Sequence, residues 1–251
     1  TDETEATQFK ATFDTTTPGS HKLVLTRKRL TQSKQSTTAV SMTVFWQVIE
    51  MLSDASVQKG LITLPNNASS VTVTTSTPTY PLTTIADTSK AFLVFSYAPG
   101  SAVAGQEDLG TVRGTITNTT TLTFTRYATG IANQEVDIAW YVIEMTDESF
   151  VQGHNTAQAF TSTEFSKPQT LTAIDPARSM PIVSAASNAT GNAAAKATYL
   201  HNALIRGAIT STTNLDLTRH NDISNSTNFA ATANWQVVEF APLKVNAPDD
   251  G

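Results

Sequence analysis

Apolar and polar residues alternate along much of the chain. Val71-Thr72-Val73-Thr74, Leu122-Thr123-Phe124-Thr125 and Leu215-Asp216-Leu217-Thr218 each send apolar side chains to one face and polar ones to the other. That period of two is the signature of a strand with one face on a core. Ala91-Phe92-Leu93-Val94-Phe95-Ser96 and Met180-Pro181-Ile182-Val183-Ser184 are more uniformly apolar and read as buried strands. Loops rich in Gly, Asn, Pro and Ser separate these runs, and no run keeps a helical period. Only Ala193 to Tyr199 has a helical composition. The pattern predicts an all-β protein of antiparallel β-sandwiches.

One phrase occurs three times. It reads Phe45-Trp46-Gln47-Val48-Ile49-Glu50-Met51, Ala139-Trp140-Tyr141-Val142-Ile143-Glu144-Met145 and Asn234-Trp235-Gln236-Val237-Val238-Glu239-Phe240. The three tryptophans are the only ones, spaced 140 − 46 = 94 and 235 − 140 = 95 residues apart. Such regularity marks a tandem repeat. Other phrases recur in step. Val57-Gln58-Lys59-Gly60 is matched by Val151-Gln152-Gly153, which reads as one residue short. Asp87-Thr88-Ser89-Lys90 is matched by Asp175-Pro176-Ala177-Arg178, and Val112-Arg113-Gly114 by Ile205-Arg206-Gly207.

These correspondences predict a partial repeat at 1–52, whole β-sandwich repeats of about 94 residues at 53–146 and 147–242, and a tail at 243–251. In the partial repeat Phe9-Lys10-Ala11-Thr12-Phe13 takes the place of the Arg-Gly strand, and Leu23-Val24-Leu25-Thr26-Arg27 that of the next strand. The opening strands have no counterpart. Leu243-Lys244-Val245 could form one short assembly strand. A half sandwich leaves strand edges and an apolar face uncovered, so another chain, or another part of this one, is expected to complete residues 9–52.

Face parity suggests what the repeated charges do. Trp46, Val48 and Glu50 share a face, and Leu23, Leu25 and Arg27 share another. The other copies repeat this, so we expect an Arg–Glu pair at the rim of each core: Arg27 with Glu50, Arg126 with Glu144, Arg219 with Glu239. Three equivalent glutamates without a repeated partner acid do not suit glycosidase chemistry, which uses a carboxylate pair.

Composition narrows the function. Hydrophobic residues make up 39% and charged residues 15%, and threonine is the commonest residue. Thr and Val suit pleated surfaces. A net charge of −5, with one short basic run at Arg27-Lys28-Arg29, argues against a nucleic-acid surface. The absence of cysteine removes disulfides, thiolate nucleophiles and Cys-based metal sites. No apolar stretch is long enough to insert in a membrane. The opening Thr1-Asp2-Glu3 suggests a mature or trimmed product.

His21, His154, His201 and His220 have neither equivalent repeat positions nor metal-ligand spacing, and are expected in loops or on the surface. No phosphate loop or nucleophile elbow is present, so no catalytic, cofactor-binding or metal residue is assigned. Asn67, Asn118, Asn188 and Asn225 begin Asn-x-Ser/Thr triplets, which arise by chance in so threonine-rich a chain. Tyr80, Tyr97, Tyr127 and Tyr199 in loops could stack on sugars.

The Trp-Gln-Val-Val-Glu-Phe ending, with Leu122-Thr123-Phe124-Thr125-Arg126 and Val57-Gln58-Lys59-Gly60, resembles repeats of tailed-phage structural proteins and of prophage-encoded or bacterial surface proteins over residues 9–242. Each module is more loosely similar to the H-type lectin sandwich, which also begins Val-Gln-x-Gly and ends on a Trp strand. The resemblance implies fold more than ligand, since the lectin family's sugar-binding residues find no match here. The expectation is a non-enzymatic structural protein of a virion or extracellular filament, partnered by copies of itself or by other virion or filament proteins. The second expectation is an adhesin or lectin-like receptor- or glycan-binding protein, as a tail fibre or a cell-surface module.

Overall fold

The computed structural model describes residues 10–14, 22–26, 54–99, 110–127, 135–187, 203–219 and 230–242. Trp46, Glu50, Arg27, the Ala193–Tyr199 segment and the Leu243–Val245 strand lie outside the described residues. Among the described residues the protein is all-β, with several antiparallel sheets and no α-helix.

The strands are β1 (Lys10–Asp14), β2 (Lys22–Thr26), β3 (Ala55–Leu64), β4 (Ser70–Thr74), β5 (Ala91–Pro99), β6 (Arg113–Asn118), β7 (Thr121–Thr125) and β8 (Val136–Met145). They continue as β9 (Phe150–Gln152), β10 (Ala157–Phe160), β11 (Ser166–Thr170), β12 (Ser179–Ser187), β13 (Ile205–Ser211), β14 (Asn214–Arg219) and β15 (Ala231–Glu239). Strand orders are β1-β2, β3-β8-β5, β4-β7-β6, β10-β15-β12 with β9 also on β15, and β11-β14-β13.

The registers within residues 53–146 and 147–242 correspond. Phe95 lies opposite Trp140, and Val183 opposite Trp235. Gly114 lies opposite Phe124, and Gly207 opposite Leu217. Even the irregularity recurs, between Ile116 and Asn118 and between Ile209 and Ser211. The hairpin β1-β2 keeps the same pairing, with Ala11 opposite Leu25.

Apolar faces explain the packing. Leu122 and Phe124 on β7 and Val73 on β4 meet Leu93, Ile138, Trp140 and Val142 in one buried cluster. Leu215 and Leu217 meet Ala185, Ala233, Trp235 and Val237 in a second. A third joins the two copies: Phe92, Ile143 and Met145 pack with Val151 and Val238. The uniformly apolar middle of β5 is thereby explained, since Leu93 faces one cluster and Phe92 another.

Each of the two described tryptophans needs a glycine opposite. A Cβ on Gly60 would stand 2.5 Å from the Trp140 ring, and one on Gly153 would stand 2.2 Å from the Trp235 ring. The recurring Val-Gln phrase therefore ends in glycine because an indole lies where a side chain would go. The reading of the third copy as one residue short is corrected. Gln58 to Leu61 advances 61 − 58 = 3 residues along its ladder, whereas Gln152 to Ala157 advances 157 − 152 = 5 over equivalent partners. Two extra residues interrupt the strand, and Gly153 adopts a positive φ of 90° to turn it under Trp235.

A second length change occurs once. Thr74 to Leu82 spans 82 − 74 = 8 residues, but the equivalent Thr170 and Leu171 are adjacent. The seven extra residues, 75–81, loop out and return through a Leu82 N–H to Thr74 carbonyl bond of 3.0 Å. Tyr80 in this loop is 43% exposed, with φ at 132°.

Candidate functional site

The repeated polar residues were the natural candidates for chemistry, and the described Gln, Asp and Glu residues among them hold backbone. Gln58 and Gln152 accept from the Thr83 and Thr172 N–H groups at 2.7 and 2.8 Å. Asp87 and Asp175 cap the turns Thr88–Lys90 and Pro176–Arg178, accepting from Ser89 and Ala177 N–H. Hydrogen bonds from Ser89 hold the Asp87 carboxyl below its ordinary range. The bond from Arg178, then that from Ala177 N–H, does the same for Asp175.

The two described glutamates of the Trp phrase perform one task. Glu144 accepts from Asp87 N–H at 2.8 Å, and Glu239 from Asp175 N–H at 3.1 Å. Each ties the closing strand to the capped turn ahead of the buried strand. Arg178 adds to this in the third copy, with its Nη2 at 3.0 Å from Glu239 and its Nε at 3.0 Å from Asp175. In the second copy Lys90 instead donates to the Asp147 carbonyl at 2.5 Å.

The predicted Arg–Glu pairing is corrected by these partners. Arg126 donates to the carbonyls of Ala68, Pro65 and Asn66 at 2.8, 2.7 and 2.5 Å. Arg219 donates to those of Glu164 and Thr161 at 2.8 and 2.5 Å. Both residues are almost fully buried, at 2% and 5% exposed. Burial pushes both guanidinium groups down from their ordinary range, and the Glu164 charge opposes this at Arg219. Arg219 also stands over the Phe160 and Phe165 rings, 5.8 and 5.4 Å from their centroids.

Strand ends explain the correction. The Arg126 partners follow Leu64, which pairs with Val136 at the start of β8, whereas Glu144 lies near its end. Eight residues of strand put them roughly 26 Å apart. Parity had placed both groups on core-facing stripes but could not tell which end of the core each occupied.

The different partners of the two glutamates give a prediction. Glu144→Gln is expected to be nearly neutral, since an amide oxygen still accepts from Asp87. Glu239→Gln is expected to cost more, up to about 1 kcal/mol, because it also removes the half-exposed ion pair with Arg178. Thermal unfolding of the two variants checks this, and the reverse order would contradict it.

His154 differs from its expected surface character. It lies in the turn after Gly153, yet both ring nitrogens are buried, with no hydrogen-bond partner among the described residues. Burial holds the imidazole below its ordinary range. His21, His201 and His220 lie outside the described residues. Among those described, no group of three His, Asp or Glu could hold a metal ion, and no helix is long and apolar enough to cross a membrane.

The tyrosines divide. Tyr97 stacks on Phe95, 6.1 Å between centroids, and burial raises its hydroxyl pKa. Tyr80 and Tyr127 are exposed, and Tyr199 lies outside the described residues.

Sequence reasoning missed the contact between copies. β6 lies on β12 and β15, and β1 lies on β5 and β8. Across the first contact Arg113 donates to Asn234 Oδ1 at 2.5 Å, Ser187 N–H to Thr111 Oγ1 at 3.1 Å, and Leu93 N–H to Gln236 Oε1 at 2.9 Å. Two buried amides on the outer side of the Trp235 strand were the available signal. No protein-family model, no curated protein and no solved structure matches this chain.

Proposed function

We propose that this chain is a non-enzymatic structural protein of a virion or extracellular filament, built of tandem β-sandwich repeats that assemble with copies of themselves. The observation that carries the reading is the use of the repeated polar residues. The Gln, Asp and Glu residues of the recurring phrases, together with Arg126 and Arg219, are each engaged with backbone, so what these positions preserve is a shape and not a reactive group. Arg126 and Arg219 hold corresponding loops through the same nitrogens despite unlike loop sequences. Apolar clusters lying between paired sheets support the sandwich arrangement. The third cluster supports a rigid join between successive repeats.

One observation favours the second reading, an adhesin or lectin-like glycan-binding protein. The 75–81 loop occurs in only one copy and carries exposed Tyr80 at a φ that non-glycine residues rarely adopt. Strain of that kind concentrates at functional loops. Negative-stain electron microscopy of the native material separates the readings: ordered polymers or particle-bound copies are expected. Discrete monomers that bind a glycan array, with binding lost in Tyr80→Ala, would instead establish the second.

A further inference from the structure

Two strands of this chain are seated on a following sheet by the same three atoms. The Ala11 N–H donates to Ser96 Oγ at 2.9 Å, and that hydroxyl donates to the Ala11 carbonyl at 3.4 Å. The Gly114 N–H donates to Ser184 Oγ at 3.1 Å, and that hydroxyl donates to the Gly114 carbonyl at 3.4 Å. The serines are register equivalents. Ser96 lies opposite Ala139, just before Trp140, and Ser184 opposite Asn234, just before Trp235. In both cases one hydroxyl satisfies the outward N–H and C=O of an edge residue.

A third hairpin has the same register. Gly207 lies opposite Leu217 as Gly114 lies opposite Phe124 and Ala11 opposite Leu25. Its N–H and C=O therefore point outward from β13, the outer strand of the order β11-β14-β13. Among the described residues no hydrogen bond reaches them. Burial differs accordingly. Gly114, Thr115 and Ile116 are buried in β6, while Gly207, Ala208 and Ile209 are only half-buried in β13 and Arg206 is exposed.

We propose that β13 is a docking edge for a second copy of this chain, seated on that copy's β5–β8 face around its Ser96, where β1 sits within a single chain. The proposal rests on the self-assembly reading and names the surface and the partner. A second copy is the occupant because the same hairpin edge is already received twice by the Ser-bearing face of this repeat. The Ser96 face is the receiving one because its present cover is the weaker. β6 belongs to a three-stranded sheet and is also tied across the contact by Arg113 to Asn234. Among the described residues β1 pairs with β2 alone, and a two-stranded sheet is marginal by itself. Exchange of β1 for a neighbour's β13 joins one end of a molecule to the other end of the next, and such a heterologous contact runs on as an open array. The tethered β1 has the higher local concentration, so dilute chains stay single and crowded ones exchange.

The test uses the full chain and Ala11→Pro. Proline removes the Ala11 donor to Ser96 but spares the β1–β2 ladder, because that N–H points outward. In sedimentation velocity Ala11→Pro is expected to associate at a concentration roughly five- to tenfold below that of the unaltered chain, the equivalent of about one hydrogen bond. Adding Ser96→Val to Ala11→Pro is expected to abolish that gain. Hydrogen exchange at the Gly207 amide is expected to slow in the associated form relative to the dilute one. An Ala11→Pro chain that associates no more readily overturns the proposal, as does association that leaves Gly207 exchange unchanged. Polymers with an unprotected Gly207 would sink this edge and leave self-assembly standing. Absence of polymers under every condition would sink both.

Discussion

Trp140→Ala is expected to lower the free energy of unfolding by about 3–5 kcal/mol, among the largest losses from any single truncation in this chain. The ring is 1% exposed and lies in the cluster with Leu64, Ile138 and Val142. The cavity cannot close readily, because the backbone opposite is already at glycine and is held in a ladder of ten paired residues. Trp140→Phe is expected to cost far less. It refills most of the volume, and the indole N–H that it removes has no acceptor among the described residues. Urea unfolding followed by circular dichroism measures both variants, and equal losses would contradict the account. The steep dependence on ring volume is the mark of a packing residue.

Arg126→Met is expected to cost roughly 2–4 kcal/mol, despite keeping the apolar stem and removing a charge from a buried site. The guanidinium donates to three carbonyls of the loop after β3, so its loss leaves those acceptors to be rehydrated or stranded. Arg126→Lys is expected to recover only a minor part, since an ammonium cannot present the planar fork that spans Pro65 and Ala68. Amide exchange at residues 66–69 is expected to quicken in both variants. A loss within the surface range of about 0.5 kcal/mol would contradict the clamp. The prediction separates this arrangement from a rim salt bridge, in which Arg126→Met and Glu144→Gln would cost about the same.

The strand content and the dominant core positions were legible because they rest on short-range patterns. Alternation in Leu122–Thr125 and Leu215–Thr218 marks the face that meets the indole. The recurrence of Val-Gln, Asp and Glu in the same order picked out residues that the structure gives shared roles. The roles themselves were not legible. A glutamate that accepts from the Asp87 N–H and an arginine that holds Pro65 and Ala68 act on backbone atoms, which are alike at every residue and leave no trace in a sequence. The length of residues 147–242 was hidden for a related reason: residues 153–156 lie outside the ladder, where alternation gives no guidance. The contact between copies was hidden more deeply. Ser96 and Ser184 sit in apolar strands where a lone hydroxyl reads as tolerated polarity, and only register shows that both cap the edge of a preceding hairpin.

That serine cap has a consequence for how such a protein could have arisen and how it could be lengthened. A hydroxyl closes an edge without adding a strand, so the sheets do not widen at the join. Residues 53–146 carry both a hairpin edge, at Gly114, and a surface that receives one, at Ser96. A duplication within the gene would therefore insert a unit whose two contacts are already encoded, with no new interface to evolve. Chains of different copy number should then share one join, and recombination between copies offers a route from one length to another.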